Sequence, residues 1–111
     1  MMCLFCKIAT GEIPSDIVMQ DDGFLCFKDI NPIAKTHLLI IPKQHIESFE
    51  AVPSGLMADM TIFIQQLTRK LGISKSGYRL VTNTGDDGGQ EVAHLHFHLL
   101  SGEKLTHIYK R

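Results

Sequence analysis

The chain has 111 residues, 44% of them hydrophobic and 21% charged, with a formal net charge of -1. That length supports one hydrophobic core, so a single domain over 1–111 is expected, with a short tail from 101 to 111. The balanced charge leaves no electrostatic footprint for nucleic acid, and no apolar run approaches the roughly 18–20 residues of a membrane span, so neither is expected as a partner.

In chain order, residues 3–10 read as a short helix ended by Gly11, and Glu12-Ile13-Pro14-Ser15 as a turn or extended entry. Ile17-Val18-Met19-Gln20 reads as a strand. Asp21-Asp22-Gly23 carries a turn signature, and Phe24-Leu25-Cys26-Phe27-Lys28-Asp29 follows as the hairpin partner, stopped by Asn31-Pro32. His37-Leu38-Leu39-Ile40-Ile41, ended by Pro42, suits a strand buried on both faces. After Pro53-Ser54, Leu56, Met60, Phe63, Leu67 and Leu71 recur at helical spacing up to Gly72. Residues 78–84 read as a strand, 85–90 as a Gly-rich loop and 92–100 as the last strand. The order predicts an α+β domain: a mainly antiparallel five-stranded sheet, one long helix on a face of it, and a short N-terminal helix.

Six histidines are present, and His94, His96 and His98 fall within five positions. In a strand, side chains alternate, so these three share one face with Val92 and Leu100, while Ala93, Leu95, Phe97 and Leu99 share the other. Three readings compete. The histidines decorate a solvated face; or they hold a metal, although His94 and His98 would lie roughly 13 Å apart at a strand's rise; or one of them is a nucleophile. Imidazole is substantially neutral near pH 7, and a second imidazole beside it can deliver the proton a leaving amine needs. The Gly-rich loop feeding this strand adds backbone N–H groups that suit a phosphate.

The run Gly89-Gln90-Glu91-Val92-Ala93-His94-Leu95-His96-Phe97-His98-Leu99-Leu100 resembles the histidine triad motif, and the chain is similar to the Hint-like branch of that family, the nucleoside phosphoramidate hydrolases. Phe5, Ile8, Gly11-Glu12-Ile13-Pro14, Phe27-Lys28-Asp29-Ile30-Asn31-Pro32, His37, Ile41-Pro42-Lys43 and Gly77-Tyr78-Arg79 extend the resemblance over nearly the whole chain. It implies a hydrolase of purine nucleoside 5'-phosphoramidates or aminoacyl adenylates, acting through a nucleotidyl-histidine and releasing the monophosphate. By the same resemblance His96 is the nucleophile, His98 its phosphate-binding and orienting partner, and His37 part of a hydrogen-bonded network behind them. Asp29 would hold the ribose hydroxyls, Phe5, Ile8, Phe27 and Ile30 the base, and Asn83, Gly89 and Gln90 the phosphate side. Against these stand plain readings: core packing for the apolar residues, and a turn-capping carboxylate for Asp29. The family implies a homodimer, with no organic cofactor and no catalytic metal. Glu91 stands where some relatives have a serine, Ser101-Gly102 replaces a Gly-Gly, and the tail has no tryptophan. No Pro-Arg pair follows the triad, which sets the chain apart from the dinucleoside polyphosphate hydrolases of the same family.

Cysteines number three, Cys3, Cys6 and Cys26, and nothing resembles an export signal, which points to a cytoplasmic protein with thiols or metal ligands rather than disulfides. Cys26 reads as a small core residue. Cys3-Leu4-Phe5-Cys6 is a Cys-x-x-Cys pair, and some bacterial triad proteins complete such a pair with two histidines, here His45 and His94, around a structural zinc. Three rivals to the phosphoramidate reading stay open: a dinucleoside polyphosphate hydrolase of the same family, a zinc-hydroxide hydrolase using His94, His96 and a third residue, and a nucleotide-binding module without turnover.

Overall fold

The computed structural model describes residues 3–106. A short helix, α1 (Leu4–Ala9), is capped by Cys3, whose Sγ accepts the Cys6 N–H at 3.3 Å, and the chain reverses at Gly11 with φ 83°. Strands β1 (Ile17–Gln20) and β2 (Phe24–Lys28) form the expected hairpin. Its turn is held by Asp21, whose Oδ1 accepts the N–H groups of Gly23 and Phe24, each at 2.8 Å. Strand β3 (Thr36–Pro42) comes next, followed by a 3-10 turn at Phe49–Ala51 that the sequence did not suggest.

Helix α2 (Ser54–Lys70) buries Met60, Phe63, Ile64 and Leu67, a stripe at the spacing of one helix face. It ends in a Schellman arrangement: Gly72, with φ 73°, donates to the Arg69 carbonyl while Ile73 donates to that of Thr68. Leu71, expected in the apolar stripe, caps the helix instead and is exposed. Strands β4 (Arg79–Val81) and β5 (Phe97–Ser101) complete a five-stranded sheet in the order β1-β2-β3-β5-β4, with every neighbouring pair antiparallel. The predicted fold class is the one observed.

The two faces of the sheet have different tasks. Phe24, Cys26, Leu38, Ile40, Phe97 and Leu99 pack against α2, where a buried side chain of this size contributes about 1.5–3 kcal/mol. The opposite face carries Leu25, Phe27, Leu39 and Ile41, covered by Phe5 of α1. In register, His37 lies opposite Leu100 and His98 opposite Leu39, so His37 and His98 stand on this second face, in the middle of the sheet.

One expectation needs correction. The last strand begins at Phe97, not at residue 92, and runs through Ser101, which the predicted tail had included. The reason lies in its neighbours. Strand β3 ends at Pro42, which has no N–H to donate, so the ladder stops at the Ile40–Phe97 pair. On the other side β4 ends at Val81, short of the predicted 78–84, and the Thr82 hydroxyl donates to the His96 carbonyl at 2.8 Å in place of a strand. Residues 92–96 therefore follow a turn, with His94 N–H donating to the Val92 carbonyl at 2.8 Å. His94 and His96 are set by this turn rather than by strand alternation.

Candidate active site and metal centre

His96 and His98 are each 6% exposed, with ring centroids 5.2 Å apart. The hydrogen bonds of the rings fix which nitrogen carries the proton. His96 Nδ1 lies 2.7 Å from the His94 carbonyl oxygen, an acceptor only. Nδ1 must therefore donate, and the lone pair of the neutral ring resides on Nε2. The ring is held edge to face by Phe5, with centroids 5.0 Å apart.

Behind His98 lies a relay. The Ile33 backbone N–H donates to His37 Nδ1 at 3.1 Å, which places the proton of His37 on Nε2. That Nε2 lies 2.9 Å from His98 Nδ1 and 3.3 Å from Asp29 Oδ2. His37 thus donates to His98 Nδ1, and His98 carries its own proton on Nε2 as a donor. The outcome is a pair of neighbouring imidazoles with opposite tautomers, one with a lone pair at Nε2 and the other with an N–H there. A nucleophile beside a proton donor requires this pairing.

The predicted nucleotide residues are spread around this pair. Phe5 and Phe27 are buried and Ile8 half-buried on the same face, whereas Ile30 is 91% exposed. Asp29 Oδ1 accepts the Asn31 N–H at 2.8 Å as a turn cap, one of the two uses weighed for it, and Oδ2 faces His37. Asn83 donates to the Gly88 carbonyl at 2.8 Å, inside the Gly-rich loop. Gln90 braces that loop, accepting from Gly85 N–H at 3.0 Å and donating to the carbonyls of Glu47 at 2.7 Å and Val92 at 3.0 Å. Gly89 has φ 77°, and a Cβ on Gly88 would come within 2.3 Å of the Thr84 carbonyl oxygen, so the loop's shape demands glycine at both positions.

A second cluster sits at the N-terminus of α1. Cys3, Cys6, His45 and His94 present ligand atoms that all lie within 4.8 Å of one another. His94 Nε2 lies 2.8 Å from the Pro42 carbonyl, so it donates there and keeps its lone pair on Nδ1. Nδ1 lies 3.3 Å from Cys3 Sγ and 3.6 Å from Cys6 Sγ, and His45 Nδ1 lies 3.2 Å from Cys6 Sγ. Two thiols and two imidazoles converging at these distances match a tetrahedral zinc set, and a ring N–H on a carbonyl is the usual support for a ligating histidine. Burial lowers the pKa of His94, with His45 and His96 acting in the same direction and the bond to Pro42 opposing, so its neutral, ligating form is favoured. The Cys6 thiol is pushed up by burial and by the neighbouring Cys3. Binding a cation there would release those protons.

Asp29, His37 and His98 also bring ligand atoms together, but the tautomers separate the two clusters. His37 accepts from Ile33 at Nδ1 and so needs its proton on Nε2, which makes this group a proton relay rather than a metal cradle. The sequence offered no signal for Ile33, Pro42 or Thr82, because each acts on the site through a backbone group or a backbone acceptor.

A match to the HIT domain model spans residues 10–105. The chain belongs to the HIT domain family. It is 53% identical over 103 residues to an uncharacterized HIT-like protein of Helicobacter pylori (strain ATCC 700392 / 26695), covering 93% of this chain and 99% of that one. Among solved structures, a HIT family hydrolase from Legionella pneumophila Philadelphia 1 is 51% identical, superposes with a TM-score of 0.88, and covers 94% of this chain and 96% of its own. A histidine triad nucleotide-binding protein from Candida albicans is 32% identical with a TM-score of 0.81, over 97% of this chain and 86% of its own. No helix among the described residues is long and apolar enough to cross a membrane.

Proposed function

We propose that this protein is a Hint-like hydrolase that converts purine nucleoside 5'-phosphoramidates or aminoacyl adenylates to nucleoside monophosphate through a nucleotidyl-His96 intermediate. The observation that carries the reading is the bond from His96 Nδ1 to the His94 carbonyl, which puts the attacking lone pair on Nε2. The hydrolase and nucleotide-binding relatives from Legionella pneumophila and Candida albicans support the class of reaction.

In the first step His96 Nε2 attacks phosphorus, the bond from phosphorus to nitrogen or to the acyl oxygen breaks, and the leaving group departs with its electron pair. His98, with its N–H turned away from His37, supplies the hydrogen bond and proton that an amine needs in order to leave. Water then attacks the same phosphorus and passes a proton back to His98, the bond to Nε2 breaks, and the monophosphate is released with the site restored. Asp29 takes the ribose hydroxyls while steadying His37. Phe27 and Ile8 with the exposed Ile30 receive the base, and Asn83, Gly89 and Gln90 hold the loop whose amides face phosphate. The alternatives are a dinucleoside polyphosphate hydrolase and a binding module without turnover. The zinc-hydroxide reading is disfavoured by donor geometry: Cys3, Cys6, His45 and His94 complete a four-coordinate set without His96 and leave no open position.

Zinc in that set would pin α1 to the chain around His45 and His94 without itself contacting phosphorus. We further place the protein in a reducing, cytoplasmic setting, which suits its three thiols. It works as a homodimer joined along the open edge of β4, where Tyr78 and Leu80 are each 39% exposed. The test of the function is a panel of purine phosphoramidates assayed for monophosphate release. His96→Ala should abolish turnover and leave monophosphate binding within about tenfold, because only the covalent step is lost. An alanine variant that keeps most of its activity would refute the assignment.

A further inference from the structure

His94 takes part in both clusters at once. Its ring belongs to the Cys3, Cys6 and His45 group, while its backbone carbonyl is the acceptor that orients His96. The residue is fully buried. Its peptide lies outside the sheet, because the β3–β5 ladder begins only at Phe97, so no strand pairing holds that carbonyl in place. What holds it is local: the ring's bond to Pro42, the turn to Val92, the 2.6 Å bond from Leu95 N–H to Ile46 O, and the convergence of Nδ1 on the two thiols. Of these anchors, only the last changes with the occupancy of the cluster. A concavity of about 470 Å³ reaches the cluster from solvent, lined by Cys3 and His45 and by the carboxylates of Glu47 and Glu91, which favour the approach of a cation. The cluster is therefore reached from solvent, unlike one closed in the core.

We propose that His94 is a positioning residue: zinc in the Cys3–Cys6–His45–His94 cluster holds the His94 carbonyl against His96 Nδ1, so that metal occupancy sets the rate of attack at phosphorus while nucleotide affinity stays unchanged. The inference rests on His96 being the nucleophile and extends that reading to a metal-responsive control of the step. A substitution at His45 leaves the His94 carbonyl in the chain, so a change in the His96 tautomer reports where that carbonyl sits.

The experiment uses the full chain in three states: zinc-loaded, stripped by chelator, and as the His45→Ala variant, whose substitution lies outside the nucleotide site. Nitrogen-15 spectra of the histidine rings report the tautomer of His96, and turnover and AMP binding are measured on the same samples. Zinc-loaded protein should show His96 in the single Nδ1–H form. The stripped and His45→Ala proteins should show mixed tautomers, with kcat lower by roughly 10- to 100-fold, as for supporting partners of a metal site, and AMP affinity held. Added zinc should restore the stripped wild type and not the variant. An unchanged His96 tautomer after zinc loss would overturn the proposal, as would a protein that retains no zinc, or unfolding of both metal-free samples, which would reduce the cluster to a folding element. A zinc-dependent tautomer in a protein that turns over no phosphoramidate would sink the hydrolase reading and leave the coupling standing.

Discussion

Asp29→Asn is an isosteric change, yet the structure assigns it a substantial cost. The carboxylate accepts the Asn31 N–H at 2.8 Å and sets Oδ2 3.3 Å from His37 Nε2, with the His37 side chain fully buried and that of Asp29 only 7% exposed. An asparagine amide offers one acceptor oxygen and one donor NH2. Whichever way it flips, a donor faces a donor. Either the turn loses its cap, or His37 must give up its proton at Nε2 and break the bonds to Ile33 or His98. Losing a hydrogen bond to a carboxylate costs about 1.5–3 kcal/mol, which corresponds to roughly 10- to 150-fold in an equilibrium or a rate. Urea unfolding and single-turnover kinetics on the variant apportion the loss: a missing cap lowers stability, whereas a reversed His37 lowers the rate because His98 is no longer held as a donor. Binding of ribonucleotides compared with analogues lacking the ribose hydroxyls isolates the ribose contact. If Asp29→Asn keeps both wild-type stability and wild-type rate, the relay derived from these hydrogen bonds is wrong.

Other expectations follow from the two cysteine environments. Native mass spectrometry should find about one zinc per chain, not two, and the Cys3→Ser, Cys6→Ser double variant should lose it together with thermal stability; a metal-free, equally stable wild type would contradict the cluster assignment. Cys26, fully buried on β2, has its thiol pushed up to about 12 by burial, so the native chain keeps a proton that the unfolded chain loses. Stability should therefore fall as pH rises from about 9 towards 12, by up to about 1.4 kcal/mol per pH unit, and Cys26→Ala should flatten that slope in denaturant titrations. An identical slope in the variant would remove Cys26 as its source.

The sequence carried the sheet and the long helix clearly, because hairpin, apolar runs and helical periodicity each bury a continuous face, as Leu38 and Ile40 do towards α2 and Leu39 and Ile41 towards α1. It misled on residues 92–96. Alternation of histidines with apolar residues has the strand period, but Pro42 withholds the donor that would extend the ladder, and a proline's effect on a segment 52 residues away, at His94, is invisible to local pattern. The resemblance supplied the triad and the zinc ligands as residue types. It could not supply tautomers, since these depend on the carbonyls of His94 and Pro42 and the N–H of Ile33, which every sequence possesses and only the fold aims. The different hydrogen-bonding states of His96, His37 and His94 come from those three backbone groups.

Attack by His96 on phosphorus is tested most directly by stereochemistry. In-line attack by Nε2 and in-line attack by water on the nucleotidyl-histidine give two inversions, hence overall retention, whereas a single direct displacement by hydroxide gives inversion. A phosphoramidate made chiral at phosphorus with sulfur and an oxygen isotope, hydrolysed to completion, reports the outcome in its monophosphate product. Retention is predicted, with or without zinc in the Cys3–Cys6–His45–His94 cluster, because that metal never contacts phosphorus. Inversion would contradict the account even if His96→Ala were inactive, since a lost general base would silence the enzyme equally well.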